Sequence, residues 1–115
     1  MVREGKEISK IVQKAYDKAL SMEDKAKSLS YLDKTFNGLE KAGYDMSEEK
    51  EVYFGVVMEK ILEEGIYISE NEYPGKGIKL IGDSFKRIKN EGYDITEYEW
   101  IYFDMFEDYL GVNLS

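Results

Sequence analysis

The sequence contains one segment twice, and the two copies lie 49 residues apart. Residues 43–48 read Gly-Tyr-Asp-Met-Ser-Glu, and residues 92–97 read Gly-Tyr-Asp-Ile-Thr-Glu. At that offset, 32–62 and 81–111 are identical at seven of 31 positions, where unrelated sequences would share about two. A repeat of this length indicates two copies of one supersecondary unit. The identical pairs are Phe36/Phe85, Gly43/Gly92, Tyr44/Tyr93, Asp45/Asp94, Glu48/Glu97, Tyr53/Tyr102 and Phe54/Phe103.

Apolar residues recur at spacings of three and four, which predicts helices over about 5–20, 22–42, 47–64, 77–91 and 96–111. We expect an all-α fold, a compact antiparallel bundle of about five helices in one domain, residues 1–115. It would comprise an N-terminal helix and two αα-hairpins related by duplication. The predicted core stripes are Ile8, Ile11, Val12, Ala15, Tyr16, Ala19 and Leu20, then Leu29, Leu32, Phe36 and Leu39, then Ile78, Ile81, Phe85 and Ile88.

The third and fifth predicted helices are apolar on more than one side, so we expect the third to be the most buried element. The apolar residues behind this expectation lie in both helices. They are Val52, Tyr53, Phe54, Val56, Val57, Met58, Ile61 and Leu62 in the third helix, and Ile101, Tyr102, Phe103, Met105, Phe106, Tyr109 and Leu110 in the fifth.

The repeated hexapeptide predicts a connector between helices. Gly43 and Gly92 would take the left-handed conformation just past a helix, which places the following tyrosine over Leu39 or Ile88. The next helix would begin with a cap from Asp45 and Asp94 or from Ser47 and Thr96. In the second copy Thr96 and Glu99 have capping-box spacing, and Ile95 and Trp100 that of a hydrophobic staple. Lys50 and Glu51 replace Glu99 and Trp100 in the first copy, so we expect that hairpin to be held less tightly.

Gly65 has the position expected of a residue that ends the third helix. Residues 66–76 break the helical period and contain the only proline, Pro74. We therefore predict a linker between the two hairpins there.

Composition limits the chemistry. The chain has no cysteine and no histidine, so thiolate nucleophiles, zinc–sulfur sites and the commonest general base are excluded. Glu48 with Glu51 and Asp104 with Glu107 have the spacing of metal-binding carboxylates, but Gly55 stands where Asp104 stands in the second copy. We predict no catalytic, cofactor-binding or metal-binding residue. A carboxylate- and magnesium-dependent hydrolase of a nucleotide or phosphate ester is the alternative.

The charge distribution indicates a partner. The net charge is −8, and residues 91–115 carry seven acidic groups and no basic one. Residues 76–90 are basic, but the acidic segments on either side argue against nucleic acid, and complementary flanks between neighbouring helices account for the alternation. No membrane span or apolar leader is apparent, so we expect a cytoplasmic protein.

We predict a small, non-enzymatic interaction module that binds a basic protein, as an inhibitor, immunity or regulatory factor does. Acidic groups around aromatic anchors suit such recognition. The alternatives are that Trp100 and Tyr109 belong to the core and the acids only solubilise, or that the chain is a self-associating structural subunit. Candidate partner-binding residues are Glu97, Tyr98, Trp100, Asp104, Glu107 and Asp108 in the last helix, and Tyr67, Glu70, Glu72 and Tyr73 in the linker.

Overall fold

A computed structural model describes residues 5–107, with side chains from Glu7 onwards. Every regular element within those residues is a helix, which confirms the all-α prediction. The helices are α1 (Gly5–Ser21), α2 (Lys25–Lys41), α3 (Ser47–Asn71), α4 (Pro74–Asn90) and α5 (Thr96–Met105). The described residues fall into two compact units, and the division lies between Val57 and Met58, within α3.

In the first unit, α1 and α2 are joined by a short, tightly bonded turn. The Asp24 carboxylate caps α2 by accepting from the backbone amides of Ala26 at 3.0 Å and Lys27 at 3.4 Å, which is why α2 begins later than the predicted residue 22. The buried Ser28 hydroxyl donates to the carbonyl oxygen of Ala19 at 2.6 Å. Lys25, also buried, donates to the carbonyl oxygens of Leu20 in α1 at 3.2 Å and of Met22 in the turn at 2.8 Å. The end of α1 therefore has partners for its unpaired carbonyls.

The core of this unit contains most residues of the predicted stripes, while Ile11, Tyr16 and Leu20 are only half-buried. Aromatic packing adds to them, because the Tyr53 ring lies 4.9 Å from that of Tyr16 and 5.9 Å from that of Phe36. Val52, in contrast, is exposed, so the apolar residues of α3 are not all part of the core. The buried apolar side chains on α1 and α2 are Ile8, Val12, Ala15, Ala19, Ala26, Leu29, Leu32, Phe36 and Leu39.

In the second unit, α3 and α4 approach each other through two glycines. A Cβ at Gly65 would overlap the side chain of Ile81, and one at Gly77 would overlap the backbone oxygen of Gly65 and the hydroxyl of Ser69. Both glycines are buried. The prediction that Gly65 ends the third helix is therefore wrong. Its missing side chain lets a neighbouring helix pack closely, and α3 continues to Asn71.

The predicted linker at 66–76 is also wrong, because α3 and α4 extend into that segment. Only Glu72 and Tyr73 separate α3 from α4. Pro74 is the first residue of α4, where its missing amide hydrogen costs nothing. Tyr73 before it is extended, with φ −147° and ψ 148°, as the residue before a proline prefers. A proline that suggested a linker thus starts a helix directly.

The two repeated connectors have the same backbone geometry. Gly43 and Gly92 have φ of 100° and 99°, so both take the predicted left-handed conformation. The amide of Gly43 donates to the carbonyl of Glu40 at 3.0 Å, and that of Gly92 donates to Lys89 at 3.0 Å. In the first copy the amide of Tyr44 also donates to the carbonyl of Leu39 at 3.1 Å, which completes a Schellman motif.

The aspartates of the repeat start the next helix in the same way. Asp45 accepts from the amide of Ser47 at 3.0 Å and from its hydroxyl at 2.7 Å. Asp94 accepts from the amide of Thr96 at 3.1 Å and from its hydroxyl at 2.7 Å. The hydroxyl of Ser47 or Thr96 first, and its amide second, lower the pKa of each aspartate. The predicted capping box is wrong. The Thr96 hydroxyl donates to Asp94, and the N-cap residue of α5 is Ile95, whose side chain makes no capping hydrogen bond.

Equivalent ion pairs of opposite polarity join the helices of each copy. Lys50 pairs with Glu40 and also donates to Asn37. At the equivalent positions of the second copy, 49 residues on, Glu99 pairs with Lys89 at 3.4 Å. Each connector thus has an ion pair of its own. The expectation that the first hairpin is held less tightly stays a prediction. The local geometry is shared, while duplication itself stays a prediction from sequence.

Candidate functional site

The orientation of α5 is determined by one buried tyrosine. The Tyr102 hydroxyl donates to the carbonyl oxygen of Ile78 on α4 at 3.0 Å, and its ring meets that of Phe85 edge-on at 5.7 Å. Phe106, one turn further, is also buried and packs edge-on against Tyr102 at 5.8 Å. Burial first, and the charge of Asp83 second, raise the pKa of Tyr102. These contacts decide which side of α5 faces its own unit.

Three large apolar side chains lie on the other sides of the helix. The exposed fractions are 56% for Trp100, 40% for Ile101 and 41% for Met105. Glu97 and Asp104 are exposed as well. Positions 97, 100, 101, 104 and 105 are spaced by three and four, so these residues form one stripe. We call these five residues the outer face of α5.

The outer face adds two apolar residues to the predicted site. Trp100 is a predicted partner-binding residue with a core position as its alternative, whereas Ile101 and Met105 are not among the predicted residues; all three are exposed. Because the apolar residues of α5 fall on more than one side of the helix, composition does not show which side is buried. The one local indication is that Ile101 and Met105 follow Glu97 by four and eight residues, which places them on the same side as this charged residue.

The other candidates on the last helix have different environments. Tyr98 is half-buried, and burial first, then the charges of Glu97 and Glu59, raise its pKa. Glu107 is exposed just beyond the end of α5. Asp108 lies outside the described residues, as do the predicted helix positions after it. Tyr98 therefore belongs more to the packing of its unit than to the outer face.

Within residues 5–107, the acids near the outer face have no ion-pair partner. Among residues 5–107, Glu97, Asp104 and Glu107 take part in no ion pair, whereas Glu99 is paired with Lys89. Glu97 lies about one helical turn before Trp100, and Asp104 about one turn after it. Negative charge therefore flanks the exposed indole ring. Such a surface attracts cations and positively charged side chains.

The second group of candidates lies where α3 ends and α4 begins. Tyr67 and Tyr73 are exposed by 67% and 61%. Tyr67 and Glu70 are on α3, so only Glu72 and Tyr73 belong to an irregular segment. Glu72 pairs with Lys76 at 2.7 Å, and that hydrogen bond, together with the attraction between the charges, raises the pKa of Lys76. Part of the acidic charge here is thus neutralised internally.

The paired carboxylates considered for metal binding are exposed. Across the part of the chain that the structure describes, no three acidic side chains converge as a metal site would require. In the same residues, no helix combines the length and apolar character that crossing a membrane demands. Comparison with protein-family models, with curated proteins and with solved structures gave no match.

Proposed function

We propose that this protein is a non-enzymatic interaction module that binds a basic partner protein through the outer face of α5. An inhibitor, an immunity factor and a regulatory subunit all work by such binding alone. The proposal keeps the expectation of a cytoplasmic protein. The observation that carries it is the stripe of exposed Trp100, Ile101 and Met105 beside Glu97 and Asp104, which form no ion pair with any residue that the structure describes.

The two kinds of side chain would contribute in different ways. Isolated apolar residues are common on protein surfaces, whereas adjacent ones bordered by charge are typical of interaction sites. Tryptophan is enriched among residues whose truncation weakens binding most. Unpaired acids raise the rate of encounter with a basic protein more than they raise affinity. The outer face has both properties within two helical turns.

The first test neutralises the acids in the triple variant Glu97→Gln, Asp104→Asn, Glu107→Gln. Binding kinetics would be measured against the partner recovered by affinity purification, at low and at physiological ionic strength. We expect slower association and a weaker salt dependence, with little change in dissociation. The matched control, Glu23→Gln with Glu48→Gln and Glu51→Gln, changes the net charge equally at exposed sites elsewhere.

The second test truncates the anchor. Trp100→Ala should accelerate dissociation and weaken binding by about tenfold or more, while Val52→Ala, at a similarly exposed apolar site on α3, should change neither. Equal association rates and salt slopes for the two triple variants, with no effect of Trp100→Ala, would contradict the proposal. The Tyr67–Tyr73 surface would then be the next site to test.

A further inference from the structure

The kind of partner follows from the shape of this surface. A single exposed helix face is a convex ridge, and the backbone groups in the interior of a helix are bonded to one another. No strand can therefore be added to it through backbone hydrogen bonds. Ridges of side chains on a helix pack well into the grooves between side chains of another helix. The geometry of α5 therefore favours a helical occupant.

The order of side chains along this face further limits which kind of helix could bind it. Trp100, Ile101 and Met105 form an apolar strip, while Glu97 and Asp104 border it within one turn. A complementary helix needs an apolar stripe at spacings of three and four, with lysine or arginine beside it. The face from Glu97 to Met105 is about 12 Å long, since each residue rises 1.5 Å. Three turns of a partner helix are enough to cover it.

Charge disfavours the other occupants. Two copies of this chain paired by a twofold axis would bring the same acidic faces together, at a net charge of −8 on each. Nucleic acid and anionic lipid would meet the same repulsion. We therefore infer that the outer face of α5 binds a basic amphipathic helix of a partner protein. This inference rests on the proposed function and specifies the ligand of the same surface.

Trp100 gives the inference a direct readout, because it is the only tryptophan of the chain and its side chain is more than half exposed. Its fluorescence should shift to shorter wavelength when an apolar surface covers it. An acidic surface that merely attracts cations would leave the indole in water and its emission unchanged. The emission maximum therefore distinguishes docking of an apolar stripe from attraction of charge.

The probes are three peptides of about 18 residues made of Leu, Ala and Lys, long enough to be helical. The first has its leucines on one face, with lysines beside them. The second has the same composition with the leucines spread around the helix. The third is the first with a central proline that breaks the helix. All three have equal charge, so only the apolar stripe and the helix differ.

At about 0.15 M salt, where surface charges are screened beyond about 8 Å, we expect the first peptide to bind at least about tenfold more tightly than the other two. Only the first should shift the tryptophan emission. In Trp100→Ala the advantage of the first peptide should be lost, and in Val52→Ala it should be retained. Because both positions are exposed, circular dichroism should show that both variants stay folded.

The outcomes separate the inference from the proposed function. Equal binding of the three peptides, with unchanged emission, would overturn the helical ligand and leave recognition of a basic partner standing. Absence of binding by every peptide at low salt would overturn both. A dimer in sedimentation equilibrium that Trp100→Ala dissociates would overturn the inference too, because a second copy of the chain would then be the occupant.

Discussion

Gly43 and Gly92 show how much of this fold is determined by single residues. Both have a left-handed backbone, and a Cβ at either position would meet no atom within 4 Å. Any cost of a side chain there is therefore conformational and not steric. The same holds in both copies of the repeat, so substitutions at the two positions test the same conformational cost independently.

We predict that Gly43→Ala and Gly92→Ala each lower the free energy of unfolding by about 1 kcal/mol, because a Cβ disfavours the left-handed region. Urea denaturation of each variant would measure this. Gly43→Asn should cost less than Gly43→Ala, since asparagine enters that region more readily. Unchanged midpoints for both alanine variants would show that neither turn depends on the conformation of its glycine.

At the scale of elements, glycine has a different role in α3 and α4. Gly65 and Gly77 lie within helices, where glycine is unfavourable by itself. The close contact of the two helices offsets this, because the backbone of Gly65 occupies the space that a side chain at Gly77 would need. Helix–helix packing has therefore overridden local preference at these positions.

We predict that Gly77→Ala destabilises the protein by about 1–3 kcal/mol, since a backbone atom blocks the added methyl group and the helices must separate. Gly38→Ala is the matched control, because Gly38 is in α2, exposed, with nothing within 4 Å of a new Cβ. That variant should gain about 0.5–1 kcal/mol from helix propensity alone. Thermal and urea denaturation would measure both. Stabilisation by Gly77→Ala would contradict the close packing.

At the scale of the whole molecule, charge is the dominant feature. The chain has 24 acidic and 16 basic side chains, so its stability depends on pH mainly through carboxylates. In the two connectors, folding changes the pKa of the aspartate in the same direction. Hydrogen bonds from Ser47 and Thr96 lower the pKa of Asp45 and of Asp94.

We predict that part of the stability lost on acidification comes from these two caps. Because their pKa is lower in the folded state, the unfolded chain takes up protons first as the pH falls below about 4. Their contribution is therefore present above that pH and is lost below it. The double variant Asp45→Asn, Asp94→Asn keeps both acceptors without the charge. Its free energy of unfolding should fall less steeply than that of the wild type between about pH 4 and pH 2.

The control for this measurement is Glu23→Gln with Glu51→Gln, which removes two exposed carboxylates outside the connectors. The slope of stability against pH in that variant should follow the wild type more closely. Identical slopes for wild type and the double aspartate variant would mean that Asp45 and Asp94 are not perturbed by folding.

Features that depend on near neighbours along the chain are predictable from the amino-acid sequence. Phe36, Leu39, Phe85 and Ile88 are buried as their spacing predicts, because each helix must turn its apolar stripe inward. The left-handed turn after α2 and α4 was predictable for a similar reason. A glycine four residues past an apolar position, followed directly by a tyrosine, specifies it locally.

Contacts between helices determined two features that local sequence preferences do not specify, the length of α3 and the buried side of α5. The sequence predicts a helix end at Gly65. In the structure Gly65 packs against α4, and α3 continues past it to Asn71. Trp100, Ile101 and Met105 became the outer face because Tyr102 was the residue that packed on α4. In a helix with apolar residues on several sides, the pattern alone does not specify the buried side, so packing determined which residues form the outer face.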